Sequence, residues 1–79
     1  MEFVATFYSH FGAVRFQKAV KSAGLSGRMT PVPRKVSSSC GTCVIFEADS
    51  FEPFLSKDVE GVYQKDGMDY VCLWDNPDL

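Results

Sequence analysis

The opening of the chain constrains its fold most, because a dense β-type run leads directly into an amphipathic helical pattern. Residues 2–8 are rich in aromatic and β-branched side chains, which favours a buried first strand. From residue 11 to residue 23, apolar side chains recur on one helical face. Ser9 can cap this helix, and Gly24 can end it as a left-handed residue. The sequence therefore predicts a strand followed at once by a helix.

Three further segments have the pattern of strands. Residues 28–32 predict a short strand at a sheet edge, because Pro31 cannot donate to a hydrogen-bonded ladder. Residues 42–48 are too apolar to be half exposed and predict a central strand. Residues 68–74 predict the last strand, and residues 75–79 a polar tail.

The segment between the last two of these strands, residues 49–66, has two interpretations. Asp66-Gly67 is a hairpin turn signal that would join two short strands on either side of it. Alternatively, the segment is a helix that has Pro53 in its first turn, is weakened by Gly61 and stops at Gly67. We favour the helix because one helical period accounts for six apolar residues, Phe51, Phe54, Leu55, Val59, Val62 and Tyr63.

The predicted element order is then βαββαβ in a single domain of residues 1–79. With right-handed crossovers this order gives a ferredoxin-like α+β fold, a four-stranded antiparallel sheet with two helices on one face. The other face of the sheet would be left open. The apolar surplus of the chain, including Phe3, Phe7, Ile45 and Trp74, therefore predicts a homodimer or a docked partner over that face.

Composition limits the classes of partner and the compartment. The net charge of −2 provides no positive field for nucleic acid, and no apolar run approaches the roughly 18 residues of a membrane span. The first residues lack the pattern of a signal peptide, and three cysteines are an odd number for a disulfide framework. We therefore expect a cytoplasmic protein with free thiols that binds neither nucleic acid nor membrane.

The loop of residues 33–41, called here the cysteine loop, is the candidate site of chemistry. Three serines, Ser37, Ser38 and Ser39, precede Cys40 and Gly41. In the predicted topology this loop emerges at the same end of the sheet as the start of the first helix. The helix N-terminus, together with the side chains of Arg34, Lys35 and His10, would then lower the pKa of the Cys40 thiol. The alternative is that Cys40 is an ordinary surface thiol in a solvated linker.

The other two cysteines have competing interpretations. Cys43 lies in an apolar strand and is either a buried packing residue or a resolving thiol for Cys40. Cys72 alternates with aromatic residues in the last strand, which favours packing. These three cysteines and His10 reach the four ligands of tetrahedral zinc, but Cys43 leads straight into a strand rather than sitting on a knuckle turn. We therefore predict neither a metal nor another cofactor.

The cysteine loop and its flanks also resemble a known family. Residues 30–41, followed by an apolar strand, are similar to the selenium/sulfur carrier-like family, a small bacterial domain of unknown function. Residues 4–9, 23–25 and 67–70 resemble the same family. The resemblance implies that Cys40 holds sulfur or selenium as a persulfide or selenosulfide and passes it on. It further implies roles for residues around that thiol: Gly41 as its turn partner, Arg34 as a positive charge, and Ser37, Ser38 and Ser39 as the pocket.

Three functional hypotheses follow. The first is a carrier, rather than a turnover enzyme, that moves sulfur or selenium through Cys40 from a donor protein to an acceptor protein. The second is a non-enzymatic binding or assembly module that uses the open sheet face. The third is a thiol–disulfide switch formed by Cys40 and Cys43.

Overall fold

The fold is a five-stranded antiparallel sheet with one long helix packed on one face. A computed structural model describes residues 1–78. Its elements are β1 (Glu2–Phe7), α1 (His10–Ser22), β2 (Gly27–Pro31), β3 (Thr42–Glu47), a 3-10 helix (Glu52–Phe54), β4 (Val59–Asp66) and β5 (Asp69–Asp75). The strands lie in the order β2-β3-β1-β4-β5, so β1 is central and β2 occupies an edge, as its proline predicted.

The predicted strand–helix unit is confirmed in local detail. Ser9 has extended backbone geometry, and its hydroxyl accepts a hydrogen bond of 3.2 Å from the N–H of Gly12 at the start of α1. Gly24 follows the helix with a φ of 79°, the left-handed conformation that glycine adopts without strain. The buried face of α1 presents Phe16, whose ring centroid lies 5.1 Å from those of both Phe7 and Phe46. These rings form the centre of the core between helix and sheet.

The second predicted helix is wrong, and with it the ferredoxin-like, two-helix fold. Residues 49–66 form only the short 3-10 helix before β4, and β4 and β5 form the hairpin that was the alternative interpretation. Gly67 has a φ of 62° and is the first of two turn residues, as a type II′ hairpin requires. The hairpin places β4 beside β1 and so gives the central strand hydrogen-bonding partners on both sides.

The six apolar residues that suggested a helix are divided between two elements. Phe51, Phe54 and Leu55 pack against the core from the 3-10 segment. Val59, Val62 and Tyr63 belong to β4, where the first two are buried and Tyr63 is half-buried. Gly61, which weakened the predicted helix, instead lies in β4, where it pairs with Thr6 of β1. The spacing of these apolar residues therefore reflects core packing from two separate elements and not one continuous helix.

The sheet face turned away from α1, called here the second face, is partly covered rather than open. Val4 and Thr6 point to this face because they alternate with Phe3, Ala5 and Phe7 on the helix side, yet both are buried. The cysteine loop crosses this face: the Ser38 hydroxyl donates to the carbonyl of Phe7, and Lys35 pairs with Asp69 at the far hairpin.

The basis for a docked partner on the second face is therefore reduced. Phe3 and Phe7, which were expected to need cover there, are buried in the core on the helix side. Trp74 also packs against that core, and Ile45 is half-buried. A homodimer through the second face stays a prediction.

The end of the described chain is more ordered than a polar tail. Asp75 belongs to β5, and Asn76 is buried, with its amide side chain donating to the carbonyl of Val59 at 3.0 Å. Leu79, the last residue of the predicted tail, lies outside the described residues. Within residues 1–78, no helix is both long enough and apolar enough to cross a membrane.

Candidate functional site

The cysteine loop is closed at its base and folded on itself. The N–H of Val32 donates to the carbonyl of Gly41 at 3.2 Å, which continues the pairing of β2 with β3 by one step. Within the loop, the N–H of Val36 donates to the carbonyl of Pro33 at 3.0 Å, and Val36 is buried. Cys40 therefore follows an ordered turn and lies one residue from the closed base.

A carboxylate from β4 anchors the segment next to Cys40. Glu60 accepts the backbone N–H of Ser39 at 3.0 Å with one oxygen and the Ser39 hydroxyl at 2.6 Å with the other. Each oxygen of the Glu60 carboxylate thus accepts one of the two donors of Ser39, and this paired arrangement fixes the orientation of Ser39 as well as its distance from Glu60. Glu60 thus holds the loop against the first residues of β4.

The serines beside Cys40 serve the loop's own structure. The Ser38 hydroxyl accepts the N–H of Cys40 at 3.3 Å and donates to the Phe7 carbonyl at 3.4 Å. Ser39 is taken by Glu60, and Ser37 is exposed. The Cys40 thiol is half-buried and lies 3.7 Å from the carbonyl oxygen of Thr42, which can accept its proton in a hydrogen bond. The hydroxyls of Ser38 and Ser39 thus bond to partners other than the Cys40 sulfur.

The basic residues expected beside Cys40 make no direct contact with its sulfur among the described residues. Lys35 pairs with Asp69 at 2.8 Å, and Arg34 lines a cleft next to the β4–β5 turn. His10 is exposed at the start of α1. In the described part of the chain, no hydrogen bond or ion pair joins any of these three side chains to Cys40. The charged group that does contact the neighbouring residue is the carboxylate of Glu60, so the predicted electropositive corner is not formed by direct contacts.

The cysteine loop lies at the end of the sheet where α1 begins, as the sequence predicted. Ser38 contacts the last residue of β1, directly before Tyr8 and the helix cap Ser9. However, the first-turn N–H of Gly12 is already bonded to the Ser9 hydroxyl. The loop therefore contacts the strand end that leads into α1, but one of the first-turn N–H groups of α1 is already occupied by the Ser9 cap.

The two other cysteines differ sharply in exposure. Cys43 is fully buried, with its sulfur 3.7 Å from the carbonyl oxygen of Pro31, whereas Cys72 is exposed on β5. Burial, and to a lesser degree the proximity of Cys40, raises the pKa of the Cys43 thiol. Cys43 is therefore held as a neutral thiol. In residues 1–78, no three or more His, Cys, Asp or Glu side chains come together in a way that could hold a metal ion.

Gly41 shows no conformational need for glycine. Its φ lies outside the left-handed region, and a Cβ built on it would meet no atom within 4 Å. The chain beside the sulfur is instead held by the hydrogen bond between Val32 and Gly41 at the base of the loop and by the Ser38 hydroxyl.

Two polar residues near the loop were missed from the sequence. Glu60 was placed inside the erroneous helix, and only the hairpin interpretation would have set it beside β1. Tyr8 has a hydroxyl that is buried and, among the described residues, has no hydrogen-bond partner. Burial, reinforced by the carboxylates of Glu60, Asp75 and Asp78, raises the pKa of this phenol, so it stays neutral.

Comparisons with known proteins assign the chain to a family. A family model described as "Putative Se/S carrier protein-like" matches residues 2–63. The chain is also similar to "Uncharacterized protein YtiA" of Escherichia coli (strain K12), with 35% identity over 43 residues, which is 54% of this chain and 51% of that protein. The matched part is thus about half the length of that relative. No solved structure matches the chain at a significant level. Because the family model covers most of its length, the chain belongs to the Se/S carrier protein-like family.

Proposed function

We propose that Cys40 carries sulfur or selenium, as a persulfide or selenosulfide, between a donor protein and an acceptor protein. The observation that carries this proposal is the extent of the family match. Residues 2–63 include Cys40 and Cys43 but leave out Cys72, so a carrier thiol common to the family would be one of the first two. Cys43 is sealed in the sheet with a raised pKa, whereas Cys40 is half-buried in a surface loop. Elimination therefore favours Cys40.

The transfer chemistry balances without an added oxidant or reductant. The Cys40 thiolate attacks the outer sulfur of a donor persulfide, a new S–S bond forms, and the donor thiolate leaves as the old S–S bond breaks. Cys40 then bears the persulfide. In the second step a nucleophile of the acceptor attacks this outer sulfur, and the Cys40 thiolate is the leaving group. Selenium in place of the outer sulfur follows the same bond changes.

The loop gives such a carrier a fixed position and partial cover. Ser39 is bonded to Glu60, and the N–H of Cys40 itself is bonded to Ser38, so the thiol sits on an ordered segment. The thiol is half-buried rather than sealed in the interior, so a docked protein can reach it. Free thiols of this kind persist in a reducing compartment, which supports a cytoplasmic location.

The other hypotheses have less support. A Cys40–Cys43 switch requires Cys43 to attack as a thiolate, but its burial and raised pKa oppose that form. A pure binding module would need the second face to be exposed, and the cysteine loop covers part of it.

The direct test is loading by a cysteine desulfurase. The protein is incubated with the desulfurase and cysteine, and its intact mass is measured without reductant. We expect the wild-type protein and the Cys72→Ser variant to gain one sulfur atom, and the Cys40→Ser variant to gain none. Equal loading of Cys40→Ser, or no loading of a wild-type protein whose thiols react with iodoacetamide, would refute the proposal.

A further inference from the structure

A cleft opens between the start of the cysteine loop and the β4–β5 turn. It has a volume of about 260 Å³, and its walls include Arg34 and Lys35 from the loop, Lys65 from β4, and Met68 and Tyr70 from the hairpin. Lys65 and Tyr70 are directly paired across the hairpin, so one wall is a regular two-stranded ribbon. The ion pair of Lys35 with Asp69 ties the loop to that ribbon.

Several basic side chains of this acidic chain line the cleft. Three of the eight Lys and Arg residues line it, although the net charge of the protein is −2. Lys35 is paired with Asp69 at 2.8 Å, but among the described residues neither Arg34 nor Lys65 has a carboxylate partner. Two cations are therefore available to a negatively charged ligand.

The apolar residues of the cleft indicate what kind of anion fits. The side chain of Met68 is 84% exposed, and Tyr70 is half-buried beside it. Arg, Met and Tyr are the residue types enriched in protein interfaces, where apolar and aromatic groups are covered by the partner while Arg pairs with its carboxylates. A free inorganic anion would leave Met68 uncovered, and a nucleic acid would face an acidic chain with one aromatic ring in the cleft. An acidic protein segment with neighbouring apolar side chains satisfies both features.

The cleft is close to the proposed carrier thiol. Pro33, which lines the cleft, and Cys40 each adjoin one member of the hydrogen-bonded pair Val32 and Gly41. A paired Cα separation of about 5.5 Å and two steps of 3.8 Å place their Cα atoms within about 13 Å of each other. A segment bound in the cleft would therefore lie within reach of Cys40.

We propose that this cleft docks an acidic segment of the protein that exchanges sulfur or selenium with Cys40. The identity of the occupant rests on the proposed function, whereas the binding itself does not. Arg34 and Lys65 pair with carboxylates of the segment, and its apolar side chains cover Met68 and Tyr70.

The test is an NMR titration of the uniformly ¹⁵N-labelled full chain with a hexapeptide of four glutamates and two leucines. We expect the amide signals of residues 34–35 and 65–70 to shift most. Two exposed charge contacts of about 0.2–1 kcal/mol each predict that the double variant Arg34→Gln/Lys65→Gln binds roughly 2- to 30-fold more weakly. The matched control Lys18→Gln/Lys21→Gln removes two exposed helix charges and should bind as the wild type does.

Several results would overturn the proposal. These are the absence of shifts at the cleft, equal binding of a hexapeptide with glutamine in place of glutamate, and tighter binding of inorganic phosphate or of oligothymidine. The wild-type shift map decides the question even if the double variant fails to fold. Cys40→Ser should bind the peptide unchanged while losing sulfur loading, so failure of docking and failure of the carrier function are read separately.

Discussion

The carboxylate of Glu60 should hold the cysteine loop in place, and Glu60→Ala tests this most sharply. The substitution removes both bonds to Ser39, of 3.0 Å and 2.6 Å. Hydrogen bonds to a charged group contribute about 1.5–3 kcal/mol each when buried. These two are solvent-exposed, where charged contacts contribute about 0.2–1 kcal/mol, so we expect a combined loss of about 0.4–2 kcal/mol.

Two assays measure this loss. Thermal unfolding followed by circular dichroism should show a Tm lower by roughly 2–16 °C, from the 4–8 °C per kcal/mol typical of domains of this size. If the loop opens by breaking these bonds, the open state becomes about 2- to 30-fold more populated. Alkylation of Cys40 by iodoacetamide, measured in a Cys72→Ser background, should then accelerate by up to the same factor.

Two serine variants provide the controls. Ser39→Ala removes only the hydroxyl bond and should show about half the effect of Glu60→Ala, whereas Ser37→Ala alters an exposed side chain of the same loop and should change neither readout. The reasoning is refuted if Glu60→Ala changes neither Tm nor the alkylation rate, or if Ser37→Ala has an equal effect.

Three further predictions concern the ion pair on α1, the hairpin turn and the thiols. The bidentate contact with Arg15, at 2.8 and 2.9 Å, holds the pKa of Asp58 below its ordinary value. The ion pair therefore stabilises the fold above the unfolded-state pKa of Asp58, and this stabilisation is lost as pH falls through the lower folded-state pKa. In chemical denaturation, Asp58→Asn should lower the free energy of unfolding by about 1 kcal/mol at neutral pH and by little in acid. Gly67→Ala should cost about 1 kcal/mol because of the φ of 62°, whereas Gly41→Ala should be neutral; equal Tm values for the two would contradict this. Iodoacetamide mapping by mass spectrometry should label Cys72 and Cys40 in the native protein and Cys43 only after unfolding, and early labelling of Cys43 would contradict its burial.

The local parts of the fold could be predicted because their signals lie within a few residues. Ser9, the apolar face of α1 and Gly24 specify the helix and both of its ends, and Pro31 specifies the edge position of β2. The hairpin could not be chosen over a helix from local spacing, because Val59 and Val62 fit either period. What favours the hairpin is tertiary: β1 needs a second hydrogen-bonding partner, and β4 supplies it.

The candidate site was predictable only as a segment. The serines and Cys40 are contiguous in sequence, so the loop could be identified as a unit. Its anchors are distant: Glu60 lies 21 residues from Ser39, and Asp69 lies 34 residues from Lys35. Because the sequence does not show these partners, it predicted Lys35 beside the thiol, whereas the structure pairs it with the hairpin.

The central claim, that Cys40 is the carrier thiol, is tested most directly by locating the transferred sulfur. The protein is loaded from ³⁵S-cysteine by a desulfurase, alkylated to trap the persulfide, digested with trypsin and sequenced by tandem mass spectrometry. Cys40 and Cys43 share the tryptic peptide of residues 36–57, and Cys72 lies in the peptide of residues 66–79, so fragment ions between Gly41 and Thr42 separate the first two. We predict label in peptide 36–57 on the Cys40 side of that bond. Label on Cys43, or in the peptide that contains the more exposed Cys72, would contradict the account.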